Sequence, residues 1–278
     1  MTSSPIPPVI TFLSDYGHHD EFVGVCHGVI ARRCPTARVI DVTHDVPSHD
    51  VRAGAILLRA ALPYLPSGVH LAVVDPGVSA AGPNGRRAVA LRTVEHGHVL
   101  VGPDNGLLMP AAERLAGVAE AVDIGESVER LQPVSRTFHG RDIFAPVAAA
   151  LAAGEPLAAV GAPIAADQLR RMGIPTAHLA EGELTAHVLR SDTFGNLILN
   201  AANEQLLTVG AQMGEALSVL HGGTRHTAVY AATFADVTPG ELLIYEDAQQ
   251  MVSLAVNRGS AAKLLGADQD DELVIRPA

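Results

Sequence analysis

The chain has 278 residues, 48% hydrophobic and 18% charged, which suits two domains or one large α/β unit and excludes a disordered protein. Nineteen Lys and Arg against thirty Asp and Glu give a formal net charge of −11, with Lys263 the only lysine, which argues against a nucleic-acid partner. No apolar run reaches the roughly 18 to 20 residues of a membrane span, and the N-terminus lacks a basic segment leading into an apolar one. Cys26 and Cys34 have neither disulfide-framework nor zinc-ligand spacing, so the expectation is a cytoplasmic protein without a membrane partner.

VITFLS at 9–14 reads as a buried strand, followed by an Asp-rich turn and a helix through FVGVCHGVIARR. VIDVT at 39–43 is a second strand, AGAILLRAALPYL at 53–65 has helical periodicity, and VHLAVVD at 69–75 is a third strand that stops at Pro76-Gly77. AVALRT, HVLVGPDNG and a helix near LLMPAAERLAG follow, and FHGRDIFAPVAAALAAG opens a further helix. Strands and helices alternating at this spacing predict an α/β N-terminal domain with a mainly parallel sheet over 1–162. Residues 163–182 read as a linker, with Pro163 and Pro175 in loop-like composition. Beyond it LTAHVLRSDTFGNLILN, ALSVLHGG, RHTAVYAATFADV, ELLIYEDAQQMVSLAVN and DELVIR predict short strands joined by turns, an all-β C-terminal domain over 183–278, sandwich or barrel.

In parallel sheets ligands sit beyond the carboxyl ends of strands, which directs attention to Asp15 in SDYG and Asp75 in VVDPGV. Either aspartate also suits a plain tight turn. His139 stands at a helix start beside a glycine, where backbone approaches a ligand closely, and reads equally as a hydrogen-bonded loop histidine. Of Arg86 and Arg87, entering the next strand, one reads as a solvated charge. Asp15, His18, His19, Asp20, His44, Asp45, His49 and Asp50 form a His/Asp-rich group after two strands, the composition of a divalent-metal hydrolase. None of the spacings is diagnostic, and no metal is expected. SDTFGN places Asp192, Phe194 and Asn196 within five residues: an acid for an ammonium group, an aromatic for stacking, and an amide with one donor and one acceptor for an adenine edge. The same residues make an ordinary hairpin turn. Phe234 reads as core or as the second face of a ring sandwich.

FLSDYG, VIDVTHDV, VVDPGV, GRRA, VGPDNGLL, TFHGRDIFAP, DTFGN and AVNRGSAA occur in this order across essentially the whole chain. Together they resemble the S-adenosyl-methionine hydrolase family, also called S-adenosyl-methionine hydroxide adenosyltransferases, relatives of fluorinating and chlorinating enzymes. The resemblance implies an α/β domain followed by a β-barrel, a homotrimer with active sites at subunit interfaces, S-adenosyl-methionine as substrate and no cofactor. It also implies that an Asp-Arg-His triad falls on Asp75, Arg86 and His139, and that Asp15 holds the ribose hydroxyls. Asn196 would read the adenine between Phe194 and Phe234, Asp192 would hold the methionine ammonium, and Phe138 and His49 would wall the pocket. Two departures stand out. The link SAAGPNG replaces a short Gly-Thr before the arginine, so that Arg86 is preferred over Arg87 rather than fixed. Ala248 stands where a serine is common, so a contact to the methionine end is missing or comes from backbone or Gln249.

The implied reaction is attack of water or hydroxide on ribose C5′, expelling methionine and leaving adenosine. Halogenating relatives carry tyrosine where Asp75 stands and serine where Gly140 stands. A carboxylate repels a halide by about 4 kcal/mol at roughly 4 Å with an effective dielectric of about 20, which sets the hydrolase ahead of a halogenase. Two further alternatives are a metal-dependent hydrolase, which a chelator would silence, and a non-catalytic adenosyl-ligand sensor, which would bind without turnover.

Overall fold

A computed structural model describes residues 7–78 and 85–278. The N-terminal six residues and the link 79–84, on which the readings of the terminus and of the Asp75-to-Arg86 spacing rest, lie outside the described residues. The chain forms two compact units, Met1–Met172 and Gly173–Ala278.

The first unit contains β1 (Val9–Ser14), α1 (Phe22–Arg33), β2 (Arg38–Thr43), α2 (Val51–Ala61), β3 (Val69–Val73), β4 (Ala88–Thr93), β5 (Val99–Pro103), α3 (Met109–Arg114), β6 (Val118–Asp123), α4 (Ala145–Ala152), α5 (Leu157–Val160) and β7 (Ala162–Pro163). One sheet takes the order β2-β1-β3-β5-β4-β6-β7. The pairings among β2, β1, β3 and β5 are parallel, and those of β4 with β5 and β6 and of β6 with β7 are antiparallel. The run of β-branched and aromatic residues in β1 suits a central strand covered on both faces, and every residue from Ile10 to Ser14 is buried. Helices α1 and α4 pack over one face with Ile10, Phe12, Leu71 and Phe144, while α2 and α3 cover the other with Leu13, Ala72, Leu58 and Leu107. Asp50 caps α2 by accepting the Ala53 N–H at 2.8 Å.

A buried polar chain links the strands. Thr11 Oγ1 lies 2.9 Å from His70 Nδ1, and His70 Nε2 lies 2.7 Å from His98 Nδ1. Burial, then the neighbouring His98, pushes the His70 imidazole down to about 3. The unfolded chain therefore takes up a proton below the usual histidine value while the folded chain does not, so stability present above about pH 6.5 drains away as the pH falls toward about 3. Calorimetric melts from about pH 7 down to about pH 4 are expected to fall more steeply for the native chain than for His70→Gln. Parallel slopes would assign the acid sensitivity to other groups.

The second unit contains β8 (His178–Ala180), β9 (Glu183–Ser191), β10 (Leu197–Ala202), α6 (Asn203–Thr208), β11 (Ala216–His221), β12 (Thr224–Tyr230), β13 (Leu242–Glu246), β14 (Met251–Val256), α7 (Ala261–Leu265) and β15 (Glu272–Pro277). The order β10-β14-β13-β12-β11-β15-β9 closes through β9–β10 pairing into a seven-stranded barrel, and β8 adds outside β9. The period-2 burial of β9 sends Leu184, Ala186 and Val188 into the interior with Val219, Leu254 and Ile275. Closure thus decides between the two all-β architectures that the strand pattern left open. Within 163–182, expected as a linker, lie the end of β7, a 3₁₀ turn at Ala166–Gln168 and β8. Among the described residues no helix is long and apolar enough to cross a membrane.

Candidate active site

Because β1 and β3 are parallel neighbours with Ser14 opposite Val73, Asp15 and Asp75 leave the sheet at the same edge. They line a cavity of about 230 Å³ together with Tyr16, His49, His139 and Gly140. Asp15 Oδ2 accepts the His49 backbone N–H at 2.9 Å, and His49 holds a left-handed φ of 68°. Phe138 does not line this cavity. It backs it, edge-on to Tyr16 and Phe22 at centroid separations of 5.8 and 5.1 Å.

Arg86 links Asp75 to His139. Its Nε donates to Asp75 Oδ1 at 2.8 Å, its Nη2 donates to Asp75 Oδ2, and the same Nη2 lies 2.9 Å from His139 Nδ1. The Arg86 and Asp75 side chains are only 5% and 6% exposed, so this is a desolvated pair held in fork geometry. The guanidinium also sits 5.2 Å above the Phe144 ring. Arg87 turns away to Asp104, with Nε donating to Oδ2 at 2.9 Å, and to the Gln168 carbonyl. Of the two arginines that the sequence offered, Arg86 is therefore the one beside Asp75.

A guanidinium only donates, so His139 Nδ1 must accept and the ring proton must sit on Nε2. Burial, reinforced by the Arg86 charge and opposed by Asp75 and Asp142, holds the imidazole below its ordinary range, which favours this neutral tautomer. His139 immediately precedes a π-helical turn, Gly140–Phe144, that runs into α4. The preceding loop is braced through Asp142, which pairs with Arg141, accepts the Ser135 N–H at 2.8 Å on its side chain and accepts the Leu131 N–H at 2.8 Å on its carbonyl.

Tyr16 is a cavity residue that pattern reading passed over, although it sits next to Asp15. A Cβ at Gly140 would overlap the Tyr16 hydroxyl. Burial, then Cys26, Asp15 and Asp75, raises the phenol well above its usual value, so Tyr16 stays a neutral donor beside two carboxylates.

In the second unit Asp192, Phe194, Asn196 and Phe234 line one cavity of about 720 Å³. Asp192 organises the β9–β10 hairpin: Oδ1 accepts the N–H groups of Phe194 and Asn196 at 2.9 Å each, and Oδ2 accepts Asn196 Nδ2 at 2.8 Å. The turn reading and the site reading thus describe one object, an Asx turn that presents an aromatic and an amide. Asn196 is 6% exposed, while Phe194 at 77% and Phe234 at 44% expose apolar rings at the cavity. Phe234 leans on Tyr245 at a centroid distance of 5.2 Å, and burial, then Asp192 and Asp247, pushes the Tyr245 phenol up to about 12. Ala248 and Gln249 line the same cavity, as do Arg190, Tyr245 and Arg258, three residues the sequence reading missed.

The His/Asp-rich group after the first two strands divides among separate contacts, with His18 3.9 Å from Asp45 and edge-on to His44. Asp50 caps α2, Asp15 engages His49, and among the described residues the ligand atoms that converge are those of His27, Asp41 and His44.

Residues 10–161 match the family model described as SAM hydroxide adenosyltransferase N-terminal domain, and residues 186–274 match that of its C-terminal domain. The chain is 50% identical over 266 residues to a Salinispora tropica protein named (R)-S-adenosyl-L-methionine hydrolase, covering 96% of this chain and 97% of that one. A fluorinase from an Actinoplanes species is more distant, 28% identical over 281 residues, covering 92% of this chain and 93% of that one. The crystal structure of an uncharacterized conserved protein from Thermotoga maritima superposes with a TM-score of 0.89 at 36% identity, covering 96% of this chain and 99% of that one.

Proposed function

The chain belongs to the SAM hydroxide adenosyltransferase family, and from that premise we propose that it hydrolyses S-adenosyl-L-methionine to adenosine and L-methionine by in-line attack of water on ribose C5′. The observation that carries the reading is the linked Asp75–Arg86–His139 set, in which Asp75 and Arg86 form a buried pair and Asp75 and His139 line the cavity shared with Asp15.

The C5′–O bond forms as the C5′–S bond breaks; the electron pair goes to sulfur, and the water gives up one proton. The sulfonium leaves as a neutral thioether, so no acid has to protonate it. The enzyme's task is to orient the nucleophile along the C5′–S axis. Asp75 accepts a hydrogen bond from the water, and His139, through Nε2–H, and Arg86 stabilise its developing hydroxide character. Attack neutralises the sulfonium, so a dry pocket favours the less charged transition state.

Asp15 holds the ribose hydroxyls and His49 walls that end, with Phe138 behind it against Tyr16 and Phe22. Asn196 reads the adenine edge with the Nδ2 proton and Oδ1 lone pairs left beside its Asp192 bond, and Phe194 and Phe234 supply the stacking faces. Asp192 has lone pairs beyond those used in its turn, which suits the methionine ammonium. The working form is a cytoplasmic homotrimer with active sites at subunit interfaces, which light scattering tests as a mass of three chains.

The direct test incubates purified protein with S-adenosyl-L-methionine, with and without chelator, and follows both products by chromatography. Equimolar adenosine and methionine, insensitive to chelator, is the expected result. Binding without products would replace the hydrolase by a sensor, and loss of turnover with chelator would bring a metal into the chemistry.

A further inference from the structure

We propose that His27, Asp41 and His44 form a binding site for one divalent cation of the zinc class, separate from the catalytic cavity. His27 lies on α1 and Asp41 within β2, with His44 just beyond the strand's end, so only the β1–α1–β2 crossover brings them together. His27 Nε2 stands 2.9 Å from Asp41 Oδ1 and His44 Nε2 stands 3.0 Å from the same oxygen, and the three ligand atoms lie within 4.8 Å of one another. None of the three residues lines the cavity that holds Asp75.

His44 supplies the independent observation. It is fully buried, and its Nε2 meets no atom in hydrogen-bond geometry, although it approaches Asp41 at ion-pair distance. A buried ring nitrogen without such a bond is uncommon. The other ring nitrogen is held by Ser14, with Oγ 2.7 Å from Nδ1. Without an ion Nε2 carries the proton that faces the Asp41 carboxylate; with an ion bound the proton sits on Nδ1, which donates to the Ser14 hydroxyl, and Nε2 turns its lone pair to the ion, the outer-shell arrangement that orients metal-bound imidazoles. Phe12 gives the site an apolar floor, with its ring 4.6 Å from His44 and 6.1 Å from His27. The side chains of His27 and Asp41 are 35% and 38% exposed, which leaves a way in and room for water as a further ligand.

Two imidazoles and one carboxylate favour zinc, cobalt or nickel over magnesium or calcium, whose preferred donors are oxygens. Zinc bonds of about 2.0 to 2.2 Å ask the Asp41 carboxylate to swing so that the ion takes the centre of the three atoms. Because Ser14 precedes Asp15 and the His44 carbonyl accepts the Gly17 N–H at 2.8 Å, the bound ion would cross-brace the strand ends that carry Asp15.

Titration calorimetry with zinc chloride on the chelator-treated and dialysed full chain tests the site, with no substrate present. One equivalent should bind, cobalt should give visible d–d absorption, and zinc should raise the melting temperature. His27→Gln and Asp41→Asn should each weaken zinc by about tenfold or more, with unchanged circular dichroism. His27 lies outside the catalytic residues, so His27→Gln should keep adenosine formation, whichever way the proposed reaction itself is decided. Absence of saturable binding, or binding unchanged in folded His27→Gln, would overturn the proposal. So would zinc binding that disappears in Asp75→Asn but survives in His27→Gln.

Discussion

Asp75→Asn is expected to lower turnover by about 10² to 10⁴-fold while KM for S-adenosyl-L-methionine moves little. In the proposed reaction the carboxylate acts on the water, whose charge develops only as the C5′–O bond forms, so removing it should cost transition-state stabilisation and spare ground-state binding. The structure adds a second consequence that has to be measured separately. Asp75 and Arg86 are 6% and 5% exposed, and breaking a buried pair by removing one partner typically costs about 3 to 5 kcal/mol of stability. Asparagine keeps the shape and one acceptor oxygen for the guanidinium, whereas alanine leaves the buried charge with neither. Asp75→Ala should therefore melt lower than Asp75→Asn, while both lose turnover at a temperature where they remain folded. Arg86→Lys gives the complementary result, because one ammonium cannot reproduce the fork on Asp75 and the donor to His139 together. Matched losses in kcat and in affinity for Asp75→Asn would remove the nucleophile-positioning role.

The two carboxylates were legible because hydrophobic runs mark strands, and strands in βαβ order put their carboxyl ends on one edge. Direction was less legible. β4 is as apolar as β3, yet it runs antiparallel between β5 and β6, and a buried run carries no sign of its direction. The choice between Arg86 and Arg87 depended on contacts far along the chain: Asp104 and the Gln168 carbonyl claim Arg87 and leave Arg86 for Asp75. Barrel closure likewise rests on the distant β9–β15 and β10–β14 pairings as well as the local hairpin. Tyr245 was passed over because a tyrosine closing an apolar run reads as core, and Tyr16 because the charged residues around it in the turn after β1 drew the attention; the fold places each of them at a cavity. The convergence of His27 with Asp41 was hidden because the helix between β1 and β2 carries His27 back over the sheet.

Gly140→Ala is expected to lower both melting temperature and turnover, and adding Tyr16→Phe is expected to restore part of each. Backbone conformation is not the obstacle at this position. Gly140 opens a helical turn, where alanine is by itself favoured over glycine by about 0.5 to 1 kcal/mol. Space is the obstacle: the added Cβ would overlap the Tyr16 hydroxyl and stand 3.0 Å from Cζ and 3.3 Å from Cε2 of the same ring. Overpacking of this kind costs about 1 to 3 kcal/mol and outweighs the helical gain. With the hydroxyl removed, the two remaining contacts are tight but within reach of a small ring shift, so the pair should couple by about 0.5 to 3 kcal/mol in a double-mutant cycle. Tyr16→Phe alone keeps the ring packing against Phe12 and Phe138 and should melt close to the native chain. The cycle bears on nucleophile choice as well as packing. The space beside Asp75 is held here by a phenol that burial keeps neutral, so what stands at position 140 sets the room left beside the carboxylate. Melting temperatures and adenosine formation for the four proteins measure the coupling. Strict additivity would mean that Tyr16 is not what keeps position 140 a glycine.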